Sequence, residues 1–75
     1  MNEEIKKVVG YHNYFRIGVA EAEQKVQENC PAGWRVWAQI WPSAPMPRGA
    51  VRVGQVKVHH GDPSYALYVY PVGGQ

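Results

Sequence analysis

The sequence predicts an α+β domain of order β-α-β-β-β, a mainly antiparallel four-stranded sheet with one helix on one face. Three observations predict it. Apolar residues recur at helical spacing between Ile17 and Cys30. Runs rich in Val, Tyr and Trp, with alternating polarity, fill the chain around that stretch. Gly and Pro cluster between the runs and cut them to strand length.

Ile5-Lys6-Lys7-Val8-Val9-Gly10-Tyr11 reads as the first strand on its β-branched content, with His12-Asn13-Tyr14-Phe15 as a polar, aromatic connector. Val19, Ala22, Val26 and Cys30 then share one face of a helix. Glu21 and Glu23 sit early in it, where the helix dipole favours negative charge, and Pro31 and Gly33 stop it. Trp34 to Trp41 is the second strand. It ends in Pro42-Ser43-Ala44-Pro45-Met46-Pro47-Arg48-Gly49, whose prolines cannot donate ladder hydrogen bonds.

The third strand, Ala50 to His60, contains a phase change. Val51 and Val53 have one parity and Val56 and Val58 the other, so a bulge near Gly54 and Gln55 would keep all four valines on the core side. His60-Gly61-Asp62-Pro63 is a turn: Gly61 allows positive φ, Asp62 bonds its own backbone and Pro63 fixes φ. Ser64 to Pro71 is the fourth strand, and Val72-Gly73-Gly74-Gln75 reads as a loose tail.

Seventy-five residues make a single domain near the lower size limit for a self-sufficient core. The one cysteine, Cys30, excludes an internal disulfide, so oligomerisation is the expected support. Hydrophobic content of 45% is that of a folded globule. The charged start Met1-Asn2-Glu3-Glu4-Ile5-Lys6-Lys7 leads into no long apolar stretch, so the expectation is a cytoplasmic protein with no membrane partner.

Net charge is only +2, but it is unevenly spread: residues 29 to 61 contain Arg35, Arg48, Arg52 and Lys57 and no Asp or Glu. Strand alternation assigns Val36, Ala38, Ile40, Val51, Val53, Val56, Val58, Leu67 and Val69 to the helix side. The other side receives Arg35, Trp37, Gln39, Trp41, Arg52, Lys57, His59, Tyr68 and Tyr70. Its four large aromatics would bring roughly 150 to 250 Å² each, on the order of 600 to 1,000 Å² together, more than a monomer usually leaves uncovered. The candidate interaction face is therefore Arg35, Trp37, Trp41, Arg52, Lys57, His59, Tyr68 and Tyr70.

No catalytic, cofactor or metal signature accompanies that face. His59 and His60 are adjacent in a predicted strand and point to opposite faces, and His12 is distant in sequence. Cys30 closes the helix at its C-terminal end, where the dipole disfavours a thiolate, and reads as a structural residue. Ser43 and Ser64 have no nucleophile-elbow context, and Gly73-Gly74 precedes no helix that could cradle phosphate.

A strand like Lys7-Val8-Val9, a helix, Ala32-Gly33-Trp34 opening a second strand and a last strand like Tyr65-Ala66-Leu67-Tyr68-Val69 together resemble small bacterial families of unknown function built as strand, helix, "GW" and strands. The resemblance spans most of the chain and implies architecture alone. A more distant likeness is to dodecins, small strand-helix-strand-strand proteins that form shells and hold flavin with a tryptophan. That likeness would put Trp34 or Trp37 in the ligand-holding role, although the extra hairpin and the Pro-rich segment 42–49 depart from the pattern.

The expected function is a small non-enzymatic interaction module that pairs with itself or another protein through the aromatic and basic sheet face. Its size and lack of motifs suit a gene of phage or mobile-element origin. Two alternatives use related surfaces: single-stranded nucleic acid stacked on the aromatics, or a planar ligand held between subunits.

Overall fold

A computed structural model describes residues 2 to 40 and 45 to 72. Among these the elements run α1 (Asn2–Val9), β1 (His12–Phe15), α2 (Val19–Glu28), β2 (Trp34–Gln39), β3 (Val51–Lys57) and β4 (Tyr65–Pro71). The fold is α+β, with one four-stranded sheet of order β1-β3-β4-β2. β2 and β3 each pair with β4 antiparallel, while β1 pairs with β3 parallel. α2 links the two edge strands, and the β3–β4 hairpin lies between them.

The N-terminal segment corrects the sequence reading: Ile5 to Val9 is helical, and the first strand is His12–Phe15, the segment read as a connector. Helix suits the segment because Ile5 and Val9, one turn apart, are both buried. Glu3 and Glu4 occupy the first turn and Lys6 and Lys7 the last, matching the helix dipole at both ends. Gly10, at φ 82°, ends the helix. His12 then ties helix to strand, its Nε2 at 2.8 Å from the Val9 carbonyl and its Nδ1 at 2.7 Å from the Tyr14 hydroxyl.

The remaining elements fall where their patterns place them, with trimmed ends. α2 buries Ala22 and Val26, and Val19 and Cys30 pack partly against the same core. β2 stops at Gln39 and β3 at Lys57, so Val58 and His59 lie beyond the strand. The register shift in β3 lies between Arg52 and Gly54, and it leaves Val51, Val53 and Val56 all buried.

The core sits between the helices and one face of the sheet. Ile5 and Val9 of α1, Ala22 and Val26 of α2, and Val51, Val53, Val56, Leu67 and Val69 of the sheet form one cluster. Gly54 has a specific role here: a Cβ on it would lie 1.9 Å from the His12 carbonyl oxygen. The absence of a side chain lets β1 pair with β3, with His12 opposite Gly54.

α2 is also fastened to the sheet at its edge. The Gln27 side chain donates from Nε2 to the Trp34 carbonyl at 3.0 Å and accepts at Oε1 from the Val36 N–H at 3.1 Å. The Val72 N–H donates to the Gly33 carbonyl at 2.6 Å, so the residue after β4 is held to the turn before β2.

Candidate functional site: the sheet face away from the helices

Pairing register sorts the strand residues into rows. Arg35 stands opposite Tyr70, and Trp37 opposite Tyr68, which in turn faces Arg52. Gln39 stands opposite Ala66, which faces Gln55, and Gln55 is level with Asn13 on β1. Lys57 is level with Phe15. Because each pair shares a side of the sheet, these residues form one surface on the side away from the core.

Of the eight residues predicted for this face, six stand on it: Arg35, Trp37, Arg52, Lys57, Tyr68 and Tyr70. His59 is exposed in the turn that follows β3 and is not on the strand. His59 and His60 are both turn residues, so strand alternation does not set their directions. Trp41 lies outside the described residues.

The face covers much of its own aromatic surface, which corrects the area expected from four uncovered rings. Arg52 donates from Nε to the Gly54 carbonyl at 2.7 Å and lays its guanidinium over the Tyr68 ring, 5.9 Å from the centroid. Tyr68, flanked by Arg52 on one side and Trp37 on the other, is only 8% exposed. Trp37 and Tyr70 meet edge to face, with centroids 6.2 Å apart and planes at 87°, and both are half-buried. The Trp37 Nε1–H donates to Gln39 Oε1 at 2.8 Å.

Gln39 is the least usual group on the face. It is 9% exposed, and its Nε2 has no hydrogen-bond acceptor among the described residues. The Trp37 bond fixes the amide orientation, since only the oxygen can accept from the indole N–H. An unmatched buried donor costs about 1 to 3 kcal/mol.

Two aromatic residues at the rim were not singled out from the sequence. Phe15, at the end of β1, is 53% exposed and lies beneath the Arg16 guanidinium at 5.7 Å. Tyr11, just before β1, is 66% exposed. Both were hidden by the misplaced first strand; the alternation of His12, Tyr14 against Asn13, Phe15 was the available signal.

Elsewhere, Trp34 lies on the helix side and lines a groove of about 310 Å³ with Glu4, Ile5, Val8 and Pro31. Cys30 donates from Sγ to the Val26 carbonyl at 3.4 Å, and partial burial pushes its thiol pKa above the ordinary value. Among the described residues no group of three or more His, Cys, Asp or Glu could hold a metal ion, and no helix is long and apolar enough to cross a membrane. No protein-family model, no curated protein and no solved structure matches the chain.

Proposed function

We propose that the protein is a non-enzymatic interaction module that docks the sheet face away from its helices onto a protein surface bearing carboxylates, with a second copy as the first partner. The division of charge carries this reading. Arg35, Arg52 and Lys57 stand on the sheet face with no carboxylate among the described residues there, whereas α1 carries Glu3 and Glu4 with Lys6 and Lys7, and α2 carries Glu21, Glu23 and Glu28 with Lys25, an excess of acid on the helices. Two sheet faces set together would oppose cation to cation. A second copy fits better by presenting its helices, a head-to-tail contact that also brings carboxylates to the arginines.

Light scattering at micromolar concentration tests it. The expected mass in low salt is at least twice 8.5 kDa. It should fall toward one chain as salt is added, because exposed charge pairs are screened. Arg35→Glu should abolish the association. A monomer in low salt, or association that salt and Arg35→Glu leave unchanged, refutes the reading.

Single-stranded nucleic acid is the second reading, favoured by the half-buried Trp37 and Tyr70 beside Arg35 on a surface that carries no carboxylate among the described residues. Micromolar, salt-sensitive oligonucleotide binding that Trp37→Ala weakens by about 1 to 3 kcal/mol would replace the first reading.

A further inference from the structure

A cleft of about 230 Å³ lies where the end of α1 meets the beginning of β3, lined by Lys6, Gly10, Tyr11, Arg52 and Val53. It combines two cations and an exposed aromatic ring with no carboxylate. We propose that it binds a nucleoside phosphate, with the phosphate on Arg52 and Lys6 and the base against Tyr11. The proposal does not depend on self-association through the sheet face.

Arg52 is set in advance for this role. Its Nε is committed to the Gly54 carbonyl and its guanidinium plane rests over Tyr68. Only Nε of this side chain hydrogen-bonds among the described residues, which leaves both Nη groups for the paired oxygens of a phosphate. Little side-chain freedom remains to be lost on binding.

The end of a helix normally repels anions, because its last carbonyls point outward. Here two of those carbonyls are already engaged: Lys6 accepts from the Gly10 N–H at 2.8 Å, and the Val9 carbonyl is met by His12 Nε2 at 2.8 Å. Gly10 leaves space as well, since a Cβ there would meet nothing within 4 Å. The cleft is smaller than the roughly 300 to 1,000 Å³ of a pocket for a drug-sized ligand. It therefore suits one phosphate and one ring, with the sugar in solvent.

Titration of the whole protein with inorganic phosphate, adenosine and adenosine 5′-monophosphate, followed by NMR shifts of residues around the cleft, tests the proposal. The monophosphate should bind about 5- to 160-fold more tightly than inorganic phosphate, the range that one ring stack of about 1 to 3 kcal/mol supplies. Tyr11→Ala should remove that gain and leave phosphate binding intact. Lys6→Ala should weaken both phosphate ligands by up to about fivefold, and Arg52→Ala by about 12- to 160-fold, as expected for an exposed and for a charge-assisted contact respectively.

Lys6 and Tyr11 are exposed, so their variants test the site even if Arg52→Ala disturbs the packing on Tyr68. A 5′-phosphorylated trinucleotide that binds more tightly than the mononucleotide identifies the end of a strand as the ligand; equal or weaker binding identifies the free nucleotide. No saturable shift at the cleft up to about 10 mM of any phosphate ligand would overturn the proposal. Equal affinity for phosphate and the monophosphate would overturn it too, as would affinities unmoved by Lys6→Ala and Tyr11→Ala.

Discussion

Gly54→Ala should detach β1 from the sheet. The added Cβ would sit 1.9 Å from the His12 carbonyl oxygen and 2.8 Å from its carbon, both backbone atoms that no rotamer change can move. Reaching an ordinary contact of about 3.4 Å requires β1 to retreat by about 1.5 Å. A ladder bond of about 2.9 Å does not survive such a shift. The pairing of His12 to Phe15 with Gly54 to Lys57 is then lost, along with the 2.7 Å bond from the Arg16 N–H to the Lys57 carbonyl.

At about 0.5 to 1.5 kcal/mol per hydrogen bond, the lost ladder and the buried groups left unmatched cost about 3 kcal/mol or more. A domain of 75 residues holds only about 4 to 11 kcal/mol in total. The melting temperature should therefore fall by about 12 to 24 °C, read by circular dichroism and checked by urea unfolding. Gly18→Ser is the control: Gly18 caps α2 in extended backbone with open space around it, so a serine there should be neutral or stabilise by a few tenths of a kcal/mol. A Gly54→Ala protein that melts within about 2 °C of the parent would refute the close approach of β1.

Gln27→Ala should cost about 1 to 3 kcal/mol in urea unfolding, since it removes both side-chain bonds to β2. Gln27→Glu should be no better than Ala, because a carboxylate can accept from the Val36 N–H but sets negative charge against the Trp34 carbonyl; full stability in that variant would contradict the geometry. Cys30 should react with iodoacetamide more slowly in the folded protein than in urea at mildly alkaline pH. Its raised pKa keeps it a thiol where the unfolded chain is forming thiolate, and the same shift removes stability as pH rises through the thiol range. Equal rates would contradict the burial.

The parts legible in the sequence are those with a sustained period. Ala22 and Val26 mark the buried stripe of α2, and the parity change between Val53 and Val56 signals a bulge, which lies between Arg52 and Gly54 rather than at Gly54 and Gln55. α1 escaped because it has few apolar residues and Val8 and Val9 suggest a strand. The charge order, glutamates first and lysines last, carried the helix signal. β1 escaped because its inward residues are polar, and their burial depends on the bonds joining His12 to Val9 and Tyr14. Alternation assigned the face residues to their side of the sheet, but not their exposure. How far Arg52 shields Tyr68 depends on a side-chain conformation that residue spacing does not encode.

Gln27 has a consequence for how this chain can meet others. Its amide presents one donor and one acceptor to β2 in the way a neighbouring strand would, so the first part of that edge is already paired. A foreign strand approaching along β2 would find a ready template only beyond Val36. The chain is rich in Val and Tyr, and without such a plug the edge would invite unlimited strand-by-strand growth. With it, growth along that edge is checked over the stretch from Trp34 to Val36.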